Sequence, residues 1–323
     1  MAQALFYTAP GQAELREVAL DPLSEGQVEV RTLFSAISRG TERLIFQGLV
    51  PEGEYQRMRA PMQAGDFPFP VKYGYAAAGV VEAGPDHLLG RHVFALHPHQ
   101  DRFRVPAGAV LDLPENVPAS RAVLAANAET ALNAVWDADI QPGMRVLVLG
   151  AGLLGCLIAA FLSRIHSDVD LTDKLSNPGV AVADFPVNFV SAEALGQGPG
   201  PGYDVVFHTT GAPEALQRAL DLLAFEGRVV ELSWYGERPV HLMLGGAFHA
   251  NRLTIQSSQV GHVAPARRAT TSRRDRLVQA LGMLDDPRLD ALITEEVAFA
   301  DLAGEISRLL APGAPGIATR IRY

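Results

Sequence analysis

One uncharged run constrains this chain more than any other feature: from Val146 to Leu162 it reads VLVLGAGLLGCLIAAFL. A membrane-crossing helix needs ~20 apolar residues, and this run is shorter and broken by glycines. A buried strand, a tight turn and a buried helix are expected instead, with no membrane association. The glycines stand at Gly150, Gly152 and Gly155, the spacing of a dinucleotide-binding turn. Context decides what such a spacing means. Here the apolar stretch Arg145 to Leu149 precedes it, and a helix with Leu154, Leu157, Ile158, Phe161 and Leu162 on one face follows. Gly150 permits the turn, Gly152 lets the backbone approach a pyrophosphate, and Gly155 lets the helix close on the strand. The unpaired N–H groups at Leu153 and Leu154, with the positive end of the helix, then face the phosphates.

Strands and helices alternate around this turn. ANAETALNAVWDADI has helical character, RVLVLG, DVDLTD, DVVFHTTG and RVVELSWYG read as strands, and PEALQRALDLLAFEG is a helical pattern. LTIQSSQV adds a further strand. This alternation predicts a doubly wound parallel sheet, a Rossmann domain over 122–289. Its second strand ends at Asp173, near the ~20-residue spacing at which an acid meets the ribose hydroxyls of a dinucleotide. A carboxylate there repels a 2′-phosphate and favours NAD over NADP, although Lys174 beside it leaves NADP open. Thr210-Gly211 and Trp234-Tyr235, at the ends of two parallel strands, are expected to line the cofactor crevice. A Rossmann-like methyltransferase or a purely structural turn is the alternative reading of the same glycines. Farther on, Ser272 and Asp275 form a capping box before the apolar stripe Leu277, Ala280, Leu281 and Leu284. Arginines at 267, 268, 273, 274 and 276 crowd this stretch. A solvated helix entry is expected, with capture of a substrate carboxylate or phosphate as the alternative.

Residues 1–121 read differently, as short β-rich segments broken by Gly and Pro, and IATRIRY at 317–323 is expected to return to them, so that 1–121 and 290–323 form one domain. The stretch Gln47 to Phe69 has no period and reads as a long loop. Its Tyr55, Met58, Met62, Phe67 and Phe69 suit a hydrophobic or planar small-molecule substrate. In ALHPHQDRF, His97, His99 and Asp101 suggest a metal, and a β reading puts both histidines on one face, but no third ligand is evident nearby, so a solvated or core-satisfied histidine pair is expected. Acidic residues outnumber basic ones 36 to 27, for a net charge of -9, which excludes nucleic acid as an expected partner. The single cysteine, Cys156, excludes an internal disulfide and a cysteine-rich zinc site. No secretory leader is visible at the first residues, and a cytoplasmic location is expected.

A β-rich domain, a central Rossmann domain and a C-terminal return together resemble the medium-chain dehydrogenase/reductase superfamily, the zinc-type alcohol dehydrogenase-like proteins. The stretches that carry it are GAGLLG, DVVFHTTGAPEALQRAL, GRVVELSWYGERPVHLML and LTIQSSQ. SAISRGTER is further similar to the bacteriochlorophyllide a dehydrogenase branch. The resemblance implies an irregular, chaperonin-cofactor-like β-rich catalytic domain beside the Rossmann sheet. It implies hydride transfer between NAD(H) or NADP(H) and a carbonyl, alcohol or enone. It also implies a pyrophosphate contact from Arg39 and packing of Thr130 behind the nicotinamide. A homodimer is the expected assembly. Where the superfamily's catalytic zinc is bound, this chain has Ser38 or Arg39, then Tyr75 of Gly74-Tyr75-Ala76, and Ala126, none of them a good zinc ligand. Zinc is therefore not expected, as in the superfamily's zinc-independent members. Tyr75 is then the expected proton donor, with Ser38, Thr41 and Glu42 completing a relay and Glu42 near its exit. The plain alternative makes Tyr75 a packed aromatic and pairs Glu42 with an arginine. The competing function is a non-catalytic dinucleotide-binding redox sensor or structural protein.

Overall fold

The computed structural model describes residues 1–166, 168–174, 182–195 and 202–323. They divide into two compact units, Met1–Ala126 with Leu284–Tyr323, and Asn127–Met283.

In the unit Asn127–Met283, apolar runs bounded by glycine form a six-stranded parallel sheet among the described residues. Its order is Asn188–Phe189, Val169–Thr172, Val146–Leu149, Tyr203–His208, Leu223–Glu231, Thr254–Ser257. All four residues of Val146–Leu149 are buried, as a strand covered on both faces requires. The helix Leu153–Leu162 is buried from Gly155 to its end. On another side Leu216, Ala219 and Leu220 of the helix Pro213–Asp221 join Leu147, Val206 and Val229 in one core cluster. The chain lays down its strands outward from Val146–Leu149, then returns to that strand's other side with Tyr203–His208. Sheets of this winding bind ligands at the carboxyl ends of the strands where the order reverses.

Two expectations for these elements need correcting. The helical pattern PEALQRALDLLAFEG is a helix only over Pro213–Asp221, and Leu223 already begins a strand. The strand wins because Leu223 pairs with Tyr203, and Glu226 adopts φ 59, a conformation no helix contains. The edge strand Asn188–Phe189 carries no sequence signal of its own.

The other unit is built on antiparallel pairs, apart from the parallel pair Ile293–Ala298 with Ala318–Arg322. Gln12–Val18, Ala2–Ala9, Val71–Lys72 and Ala64–Gly65 form one sheet. A second, seven-stranded among the described residues, runs Ile293–Ala298, Ala318–Arg322, Gln27–Ala36, Ala77–Ala83, His92–Ala95, Val110–Asp112, with Arg102–Pro106 also on Gln27–Ala36. The C-terminal strand thus returns to the N-terminal one, pairing Ile321 with Ser35. Val28, Val30, Val81, Val93, Phe103 and Val105 fill the core between these strands. The short helix Arg39–Phe46 buries Glu42, Ile45 and Phe46 and so carries a carboxylate into the interior. The segment 96–101 is irregular, not a strand, so the two histidines do not share a face.

Candidate active site

The glycine turn is held by contacts that no other residue permits. Gly150 has φ 110, and a Cβ there would lie 2.7 Å from Thr209 Oγ1. A Cβ on Gly155 would lie 1.8 Å from the Gly150 carbonyl oxygen, inside any possible contact, so the helix closes on the turn only with glycine. Gly152 differs. It precedes the helix in an extended conformation, and nothing lies within 4 Å of its Cβ position. Open space therefore faces the helix N-terminus where Leu153 and Leu154 begin it. The Gly150 N–H donates to Thr172 O at 2.9 Å, and the Ala151 N–H donates to Asp173 Oδ2 at 2.8 Å. Asp173, at the end of the strand Val169–Thr172, is thus tied to the turn itself. A cradle with room for a pyrophosphate and an acid at its rim fits a dinucleotide. Beneath it, Cys156 donates its thiol to Ala151 O, and burial, then the nearby Asp173 charge, pushes that thiol up to about 12.

Thr210, Gly211, Trp234 and Tyr235 follow the strands Tyr203–His208 and Leu223–Glu231, whose last residues, His208 and Glu231, stand in register. Thr130 lies half-buried on the helix Ala125–Ala138.

In the other unit a polar cluster gathers around Glu42. Its side chain is fully buried, accepting from the Ser38 N–H at 2.7 Å through Oε1 and from the Tyr7 hydroxyl at 2.7 Å through Oε2. His99 Nε2 lies 3.1 Å from Oε2. His99 Nδ1 is 2.8 Å from Ser35 Oγ, itself 2.9 Å from the Tyr323 hydroxyl. Hydroxyls of Ser38 and Thr41 hydrogen-bond Tyr75, whose ring stands edge-on to Tyr73 at 5.9 Å. Burial pushes the Tyr75 phenol up to about 12 against the pull of those two hydroxyls. Tyr75 is therefore both packed and hydrogen-bonded, and it holds its proton at any working pH. Ser38, Thr41, Glu42 and Tyr75 are brought together as the sequence suggested. Two details differ: Glu42 pairs with no arginine, and with no exposed surface it is not an exit to solvent. Its link to Tyr7 and, through His99, to Ser35 and Tyr323 escaped sequence reasoning, because only folding brings such distant residues together.

Several other candidates take structural places. His97 stacks on Phe103 at 3.9 Å and reaches only the Pro98 carbonyl with Nδ1. Arg39 donates to Ala314 O and Gly316 O at 3.2 and 2.8 Å, tying its helix to the C-terminal segment. The arginine cluster is not a solvated helix entry throughout. Arg276 is buried against Glu129 and Asn133, and Arg267 covers the Trp136 ring.

No protein-family model matches the chain. It is 27% identical to D-guloside 3-dehydrogenase of Escherichia coli K12 over 282 residues, 79% of this chain and 80% of that one. The crystal structure of 2R,3R-butanediol dehydrogenase from Bacillus subtilis superposes over 100% of both chains with a TM-score of 0.78 at 15% identity. An alcohol dehydrogenase from Escherichia coli CFT073, complexed with cofactor NADH, superposes over 100% of this chain and 99% of its own with a TM-score of 0.77 at 17% identity. The chain is an oxidoreductase, similar in sequence and in fold to dehydrogenases of the medium-chain, alcohol dehydrogenase-like type.

In this dehydrogenase the residues do not fit a catalytic zinc. Zinc takes imidazole, thiolate or carboxylate in tetrahedral array. The positions that the sequence resemblance matches to zinc ligands hold Ser38 or Arg39, Tyr75 and Ala126, a hydroxyl or guanidinium, a phenol and a methyl. Two good ligands in the cluster around Tyr75, His99 and Glu42, are hydrogen-bonded to each other. Among the described residues no group of three histidines, cysteines or acids could hold a metal.

Proposed function

We propose that this dehydrogenase is zinc-independent and transfers a hydride between NAD(H) and a carbonyl or its alcohol, an enone being the variant that needs least help from the protein. The observation that carries the reading is the glycine turn, closed by Gly155 against Gly150 and tied through Ala151 to the Asp173 carboxylate. When bound, nicotinamide supplies or accepts the hydride. The chain's own residues hold the cofactor and manage the proton. Leu153 and Leu154 present N–H groups to the pyrophosphate, and Asp173 meets the ribose. Tyr75, kept protonated and aimed by Ser38 and Thr41, donates to the oxygen on which charge develops. Glu42 fixes the Ser38 backbone and so the loop that aims Tyr75. Arg39 and the histidine pair are left out, since their contacts are internal. Tyr55, Met58 and Met62 suit a substrate with an apolar or planar flank.

The test is an NADH titration followed by fluorescence, then a scan of ketones, aldehydes and enones for NADH oxidation. Asp173→Ala is expected to weaken NAD binding and to relax discrimination against NADP. A wild-type enzyme that binds NADP more tightly than NAD overturns the assignment of Asp173.

A further inference from the structure

The carboxyl edge of the parallel sheet holds a second hydrogen-bonded hub, on the side of the glycine turn opposite Asp173. His208 ends its strand with no exposed surface, and Glu231 ends the next strand in register with it. His208 Nδ1 lies 2.8 Å from Glu231 Oε2, and Nε2 lies 2.7 Å from Thr210 Oγ1. Thr210 Oγ1 also accepts the Ala212 N–H at 3.0 Å, so its own proton is the one left for Nε2, and Nδ1 carries the ring proton toward Glu231. Glu231 Oε1 accepts the Ser233 N–H at 2.6 Å, and Oε2 accepts the Tyr235 hydroxyl at 3.1 Å. Ser233 Oγ in turn accepts the Gly211 N–H at 3.0 Å. The carboxylate thus fixes the Ser233 N–H directly, and the Thr210 and Ser233 hydroxyls fix the Ala212 and Gly211 N–H groups, all in the two turns that leave these strands.

An imidazole and a carboxylate held inside the sheet in this way are an expensive means of stabilising it, because apolar side chains of similar volume fill the same space without a desolvation cost. What it provides is orientation. The winding of the sheet says orientation of what. Asp173 lies on one side of the glycine turn, on the strand neighbouring Val146–Leu149, and the hub lies on the other side. A dinucleotide whose pyrophosphate sits at the turn and whose adenosine ribose meets Asp173 extends its other half over the ends of Tyr203–His208 and Leu223–Glu231.

We propose that the His208–Glu231 pair is a positioning device for the nicotinamide half of the cofactor, acting through the Thr210–Ala212 and Ser233–Tyr235 turns. The inference rests on the dinucleotide reading above. Neither side chain need touch the cofactor; each holds the turns that do.

The test compares NADH, which has both halves, with ADP-ribose, which lacks the nicotinamide. Binding of each is measured by calorimetry to the wild-type chain and to Glu231→Gln, Glu231→Val and His208→Asn. Loss of a charged hydrogen-bond partner costs on the order of tenfold in affinity. Glu231→Val and His208→Asn are expected to weaken NADH about that much and to leave ADP-ribose within about twofold. Glu231→Gln, which keeps an acceptor for the Ser233 N–H, is expected to fall between them and wild type. Melting temperature is read alongside. A variant that loses both ligands together, or neither, while the wild type binds both, overturns the inference and leaves the dinucleotide reading standing. A wild-type chain that binds neither ligand overturns both.

Discussion

Tyr75 is the residue on which the proposed chemistry turns. Its phenol is packed against Tyr73 and hydrogen-bonded by Ser38 and Thr41, so deleting one oxygen tests chemistry without opening a cavity. A donor placed where negative charge develops contributes on the order of 10²–10³ in rate. Tyr75→Phe is expected to lower carbonyl turnover by that factor with NADH affinity and melting temperature unchanged. If turnover survives and the melting temperature falls, Tyr75 is a packing residue and the substrate stabilises its own charge, as an enone does. His97 makes the complementary case, a titratable group with no chemistry. Burial, followed by the Lys72 ammonium, depresses its imidazole to about 3. Unfolded, it titrates near ~6.5. Between those values the unfolded chain binds the extra proton, so stability is complete above pH ~6.5 and is lost as pH falls toward ~3. By pH 5 the loss is about 2 kcal/mol. His97→Gln is expected to flatten that limb in urea unfolding measured between pH 7 and 4.5; an unchanged slope refutes the assignment.

Among the elements, the strand–turn–helix at Val146–Leu162 was the most legible, because everything that specifies it is local. Glycine at three positions, apolar residues on both sides and a helix opening directly after the turn leave one arrangement. The Ser272–Asp275 box was legible for the same reason: Ser272 Oγ accepts the Asp275 N–H at 3.1 Å and Asp275 accepts the Ser272 N–H at 3.0 Å. Leu222 to Gly227 was not legible. Its residues are good helix formers, and pairing with a strand far away in sequence overrode them. The HPH segment misled in the opposite direction, an alternating pattern that meets the strand Ala2–Ala9 only through isolated bonds such as the Leu5 N–H to His99 O and the Ala4–Gln100 bridge. The glycines of the turn give the element-scale prediction, since two of them act for different reasons. Gly155→Ala forces a carbon against the Gly150 oxygen and is expected to cost about 2–3 kcal/mol of stability. Gly152→Ala meets nothing in the chain. It is expected to keep the melting temperature while weakening NADH binding, because its Cβ takes the space a phosphate would approach through. Equal losses of stability in the two variants, read by thermal denaturation, contradict this division of roles.

At the scale of the whole chain, what sequence reasoning reached was the fold class, a parallel sheet beside a sheet-rich part, and the class of enzyme, an oxidoreductase. What it missed were partners joined only by folding: Tyr7 with Glu42, Ser35 with Tyr323, His208 with Glu231. Such pairs leave no spacing to read. The metal question belongs to this scale too, because a zinc site depends on ligands from separate parts of a chain meeting at one point. Zinc needs three or four nitrogen, sulfur or carboxylate ligands within about 2.0–2.3 Å. Ser38, Tyr75 and Ala126 supply none of these, and the pair that comes closest, His99 with Glu42, is already satisfied by Ser35, Tyr7 and the Ser38 backbone. A metal placed there would have to break those hydrogen bonds inside a closed core. Purified protein is therefore expected to hold well under one zinc per chain by elemental analysis. Incubation with a strong chelator is expected to leave both the melting temperature and turnover where they were. Adding zinc should not raise turnover of Tyr75→Phe, because the lost donor has no metal to replace it. One tightly held zinc per chain, removed by chelator together with activity, would overturn this and take the proton-donor role of Tyr75 with it.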